Sequence, residues 1–184
     1  MDLKEKLFDQ LKDIPDDYIV LVEMAPEHSF ELTTALVKFY SDRNDRGIIV
    51  SANRPYNNLM NIYKQNSIDT SKMFILDCIS KNQNVTVPAK NVMFINNVSS
   101  LTDISLSINE TMNGSKEKQF VFFDSITTML IHNKPYVFTR FIHNVLTKMR
   151  LKGIGGLLIS TQDNSNSEIR AEIAQLCDKV IKIE

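Results

Sequence analysis

Gln119-Phe120-Val121-Phe122-Phe123-Asp124-Ser125-Ile126-Thr127-Thr128 is the stretch on which the fold turns. Four apolar residues in a row cannot alternate between core and water. A strand here is therefore buried on both faces, as in a parallel sheet covered by helices. The carboxylate of Asp124 then stands at the strand's carboxyl end, where open α/β sheets bind their ligands.

Six further short apolar runs share this character: Tyr18–Val22, Gly47–Ser51, Met73–Leu76, Val92–Ile95, Gly156–Ser160 and Val180–Ile183. Helical patterns fall between most of them. Ser29 to Tyr40 has Ser29 as its expected N-cap, and Pro55 to Gln65 opens on a helix-start proline. Leu101 to Met112 is less regular, whereas Pro135 to Arg150 sets Phe138, Phe141, Ile142, Val145, Leu146 and Met149 on one face. Ser165-x-x-Glu168 has the form of a capping box opening a last helix. Strands alternating with helices predict an α/β fold, a doubly wound and mainly parallel sheet flanked by helices. No repeat or linker divides the chain, so residues 1–184 are expected to form one domain. Within it, residues 1–13 form a lead-in helix that docks on its own domain or on a neighbouring subunit. Ser80–Lys90 is expected to be a long mobile loop.

Composition narrows the function by exclusion. The formal net charge of −1 offers no global attraction for nucleic acid or an anionic membrane. No run approaches the roughly 20 apolar residues that span a bilayer. The start, Met1-Asp2-Leu3-Lys4-Glu5-Lys6, lacks an apolar signal core, and a cytoplasmic protein is expected. Cys78 and Cys177 sit in apolar surroundings and read as small buried thiols. His28, His132 and His143 lack partners at metal-ligand spacing. Neither Gly-x-Ser-x-Gly nor Gly-x-Gly-x-x-Gly is present, which argues against a serine hydrolase or a dinucleotide fold. The clustered aspartates of a phospho-receiver domain are also missing.

Asp124-Ser125-Ile126-Thr127, the later run Gly156-Leu157-Leu158-Ile159-Ser160-Thr161-Gln162 and the closing Asp178-Lys179-Val180-Ile181-Lys182-Ile183 occur in a particular order. Together they resemble the KaiC/RadA branch of the RecA-like ATPases, from about Ile14 to the C-terminus. The resemblance implies a RecA-like P-loop NTPase fold, in which Asp124 closes a Walker B strand and would hold the Mg²⁺ of a nucleotide. It also implies side-by-side assembly with relatives.

The resemblance fails where phosphate should bind. Matching the Walker A motif on Thr33 and Thr34 puts its lysine at Leu32, its glycines at Pro26 and Glu31, and the branch's extra glycine at Ser29. Pro26 has no N–H to offer, Leu32 carries no charge, and Glu27 and Glu31 would repel phosphate. One of these glutamates could fill the old phosphate site as an internal anion, or both could be solvated first-turn residues. Asn53 stands where the family has its water-activating glutamate, and an amide is no general base.

The resulting expectation is a catalytically inactive RecA/KaiC-like regulatory or scaffold protein, with no cofactor. Its relic pocket would comprise Glu27, Ser29, Glu31, Leu32, Thr33, Thr34, Asn53, Asp124, Ser125 and Gln162. The expected partners are proteins, an active relative or further copies of the chain, and neither nucleic acid nor membrane. The alternative is an ATP sensor or ATPase with a non-standard loop, using Thr33, Thr34, Asp124 and Gln162, with Mg²⁺ at Asp124. Arg140, His143, Lys148, Arg150 and Lys152 tint one helix basic. They form a solvated face, or a docking surface for an acidic partner or nucleic acid.

Overall fold

The computed structural model describes residues 2–162 and 165–184. Its centre is a seven-stranded sheet in the order β4-β3-β2-β5-β6-β1-β7, parallel at every pairing. The strands are β1 (Ile19–Met24), β2 (Arg46–Ser51), β3 (Met73–Asp77), β4 (Val92–Phe94), β5 (Gln119–Asp124), β6 (Gly155–Thr161) and β7 (Lys179–Ile183). The helices are α1 (Leu3–Leu11), α2 (Pro26–Asp42), α3 (Tyr56–Gln65), α4 (Leu101–Asn113), α5 (Ile126–Ile131), α6 (Pro135–Leu151) and α7 (Ser167–Gln175).

Alternate side chains of each central strand feed two separate cores. Val121 and Phe123 of β5 join Ile104, Phe138 and Ile142 on the α4–α7 side. Phe120 and Phe122 join Leu7, Leu36 and Tyr63 on the side of α1, α2 and α3. Burying each of these phenylalanines contributes about 2–3 kcal/mol, so β5 alone ties both layers to the sheet.

α1 docks on its own domain. Leu7 and Leu11 enter the core, Phe8 stacks on Phe39 at 5.3 Å, and Lys179 Nζ donates to the Gln10 carbonyl. The loop expected over Ser80–Lys90 begins with a 3₁₀ turn at Ser80–Gln83 and is otherwise irregular. Both cysteines are free thiols, Cys78 buried and Cys177 half-buried. Among the described residues, no helix is long and apolar enough to cross a membrane.

Three helix starts differ from the sequence reading. α2 begins at Pro26, not after Ser29, because Ala25 is extended and proline's fixed φ suits the first helical position. α7 begins at Ser167 behind Asn166, which takes a left-handed φ of 53°. Asparagine tolerates that conformation better than serine, so the Ser165–Glu168 box does not open the helix. α5 has no counterpart among the helical patterns of the sequence: the Ser125 side chain accepts from the Thr128 N–H and caps it.

Gly155 carries a packing constraint. A Cβ there would run into the backbone carbonyl of Asp16 and lie 3.1 Å from that of Tyr18. Backbone cannot swing aside as a flexible side chain can. Gly155→Ala should cost about 1–3 kcal/mol, read as a lower denaturant midpoint with unchanged slope.

Candidate functional site

The carboxyl ends of β1, β2, β5 and β6 lie at one edge of the sheet, and the site is built there from the strand tips upward. At the β1 tip a single residue, Ala25, separates the last strand residue, Met24, from the first helical one, Pro26. The backbone from Pro26 to Thr33 is thus two turns of α-helix. Its N–H groups beyond the first turn are spent on the helix's own ladder, and His28 N–H already bonds the Ala25 carbonyl at 3.1 Å. A phosphate cradle needs those N–H groups turned outward from a non-helical loop.

Next to this junction lies a cavity of about 170 Å³. One wall is α2, through Pro26, Ser29, Phe30, Thr33 and Thr34. Asn53 and Arg54 from the β2–α3 turn, Leu59, Ile62 and Tyr63 from α3, and Asp124 complete it. The Arg54 guanidinium lies over the Phe30 ring, 4.7 Å from its centre, joining α2 to the β2–α3 turn.

Asp124 is 7 % exposed. Its carboxylate accepts from Asn53 Nδ2 at 3.1 Å. Asn53 is itself held, its Oδ1 accepting from the Thr128 hydroxyl. Burial holds the Asp124 carboxyl above its ordinary range, with the Asn53 hydrogen bond and the Arg54 charge pulling back only in part. Burial, then the nearby Asp124, also raise the Tyr63 phenol. Thr34 satisfies its hydroxyl on the Phe30 carbonyl at 2.8 Å. The Thr33 hydroxyl is buried and has no hydrogen-bond partner among the described residues.

Asp77, at the neighbouring tip of β3, shows what a structural carboxylate looks like. It is fully buried and accepts from the N–H groups of Tyr56, Ile79 and Ser80 at 2.7–2.9 Å, and from the Ser80 hydroxyl. It closes one turn and caps α3. Asp124 has no such set of donors.

Of the residues picked from sequence, Ser29, Thr33, Thr34, Asn53 and Asp124 share this cavity. Ser125 adjoins it, 3.4 Å from Asn53 Nδ2. The other four lie elsewhere. Glu27 is exposed, and Glu31 pairs with Lys4 at 2.8 Å, so neither glutamate fills the cavity. Leu32 points into the core beside Val22 and Leu36. Gln162 lines a separate hollow with Glu23 and Lys182, on the far side of β6. The reason is the early helix start, which carries residues 27 and 31 onto the outer face of α2. Sequence reading missed Phe30, Arg54 and Tyr63. Arg54 follows Asn53 at the same strand tip and was findable, but Phe30 and Tyr63 look like ordinary core positions. Among the described residues no three His, Cys, Asp or Glu side chains are grouped to hold a metal.

No protein-family model matches the chain. No curated protein sequence matches it either. Among solved structures, the KaiC-like protein PH0186 from the hyperthermophilic archaeon Pyrococcus horikoshii OT3 superimposes with a TM-score of 0.61. The match covers 92% of this chain and 72% of that one, at 13% identity. This chain has a RecA/KaiC-like fold. At that identity the likeness is one of architecture, and the site must be judged on its own residues.

A carboxyl raised by burial favours the folded state when protonated. The contribution of Asp124 to stability should therefore fall as pH rises from the ordinary value of 3.8 through the raised folded value. Asp124→Asn keeps an oxygen acceptor for Asn53 and removes the buried charge. Its Tm should exceed the wild type's at neutral pH, with the gain vanishing below pH 3.8. Melting curves across pH test this, and a lower neutral-pH Tm for the variant would refute it.

Proposed function

We propose that this chain is a non-hydrolysing protein of RecA/KaiC-like fold that acts through protein contacts, as a regulator or scaffold. The observation that supports this most is the one-residue junction between β1 and α2. Helix occupies the backbone that would have to curl around phosphates, and no basic side chain replaces the missing lysine on it: Leu32 is in the core. The adjoining cavity, at about 170 Å³, also falls below the roughly 300–1,000 Å³ of common small-molecule pockets. Asn53 orients and hydrogen-bonds but cannot take a proton from water. These residues offer the phosphates of a magnesium nucleotide neither a loop nor a lysine.

One observation favours a second reading. Thr33 leaves an unpaired buried hydroxyl facing the same cavity as the buried, weakly compensated Asp124. That pairing suits a sensor that still holds a small polar ligand, ATP with Mg²⁺ in the strongest form. If the site is a relic instead, Thr33→Val removes an unsatisfied polar atom at nearly constant volume. It should then raise stability by about 1 kcal/mol.

Calorimetric titration with ATP–Mg²⁺ separates the two. The expected result is no saturable heat in the micromolar range and no phosphate release. Micromolar binding that is lost in Asp124→Ala would reject the scaffold reading in favour of the sensor.

A further inference from the structure

α6 has two faces of different character. Phe138, Ile142, Val145 and Met149 are buried against the sheet. The opposite stripe, from Tyr136 and Val137 through Arg140 and His143 to Lys148, runs along a groove between α4 and α7. The groove has a volume of about 940 Å³, and Leu106, Ile169 and Leu176 are its apolar walls. Tyr136 is 70% exposed, Leu106 53% and Val137 48%. Apolar groups gathered in one concavity are characteristic of a surface that another chain covers.

We propose that this groove receives an acidic amphipathic helix of a partner protein. The inference rests on the scaffold reading and names its contact surface. Charge decides the chemistry of the occupant. Arg140 and Lys148 line the groove against a single acid, Glu172, and neither cation forms an ion pair among the described residues. Arg140 instead rests over the Tyr136 ring, at 5.6 Å. A helix laid along α6, which is roughly 25 Å long, would direct leucine-like anchors at Leu106, Val137 and Leu176, with its acids toward Arg140 and Lys148. A nucleic-acid strand would meet mostly apolar walls, and Glu172, where it needs cations. A second copy is no better suited. Of the chain's described helices, only α4 carries acids without bases, and α4 is already a wall of the groove.

The test uses the full chain and a labelled, end-blocked helical peptide of about 16 residues. It carries leucine at i, i+3, i+4, i+7 and i+11 and glutamate on its other face, and its control carries lysine there. Fluorescence anisotropy should show salt-sensitive binding of the glutamate peptide and none of the lysine peptide. The pair Arg140→Glu and Lys148→Glu should weaken it about tenfold or more. Leu106→Ser with Tyr136→Ser should also weaken it. All four side chains line the groove, and unchanged melting curves would establish that the variants are folded. Failure of the glutamate peptide to bind, equal binding of both peptides, or indifference to both double variants would overturn the proposal. So would a dimer dissolved by the same substitutions, or an oligonucleotide that outcompetes the peptide. Nucleotide titration leaves these outcomes untouched: ATP binding with peptide binding rejects the scaffold reading alone, and neither kind of binding rejects the groove alone.

Discussion

β6 is hydrogen-bonded to β1 on one side and to β5 on the other, and this double ladder sets the geometry of everything at the sheet's carboxyl edge. It holds the start of α2 and the tip carrying Asp124 two strand spacings apart, roughly 10 Å. Each partner is fixed in turn: β1 by β7, and β5 by β2. Thr127 fastens the edge across the gap, accepting from the Thr161 N–H at 2.9 Å and approaching the Ser160 hydroxyl at 3.3 Å. The candidate site is therefore rigid on its β side, and its shape depends on how α2 and α3 close over it.

Within that frame the two buried aspartates play different parts. Asp77 is saturated by donors from its own turn and from α3, so hydrogen bonds compensate its burial. Asp124 receives one side-chain hydrogen bond, from an asparagine that Thr128 also holds. A buried carboxylate with so little compensation is costly. The Thr33 hydroxyl on the opposite wall, without a partner among the described residues, adds to that cost. Both features mark the cavity as a place where stability has been given up, which is common where a protein has, or once had, something to bind.

The sheet was legible because its strands are short, continuous apolar runs, and residues such as Phe120–Phe123 leave no other way to bury both faces. The long helices were legible from periodicity, α6 most of all. The candidate site was only partly so. Reading Ser29 as a cap followed a sound propensity, yet Pro26 at the first helical position won, and with it Glu27 and Glu31 turned outward. Burial of Asp124 and the pairing of Asn53 with it join residues 71 positions apart, which no local pattern encodes. α5 is six residues long, too short for a period to show. The basic tint of α6 could be read, but not that Arg140 and Lys148 flank a groove walled by two other helices.

The junction at Ala25 has a mechanical meaning as well. A flexible loop between a strand and a helix lets the two ends move independently, so that events at one are absorbed before they reach the other. Here one extended residue joins β1 to a helix of 17 residues, about 25 Å long. With Leu32, Leu36 and Val37 buried along one face, strand and helix form one stiff unit. The far end is fastened too, where Arg43 sits between Asp16 and Asp45. α2 is thus a strut without a joint, reaching from the candidate site to the opposite edge of the sheet.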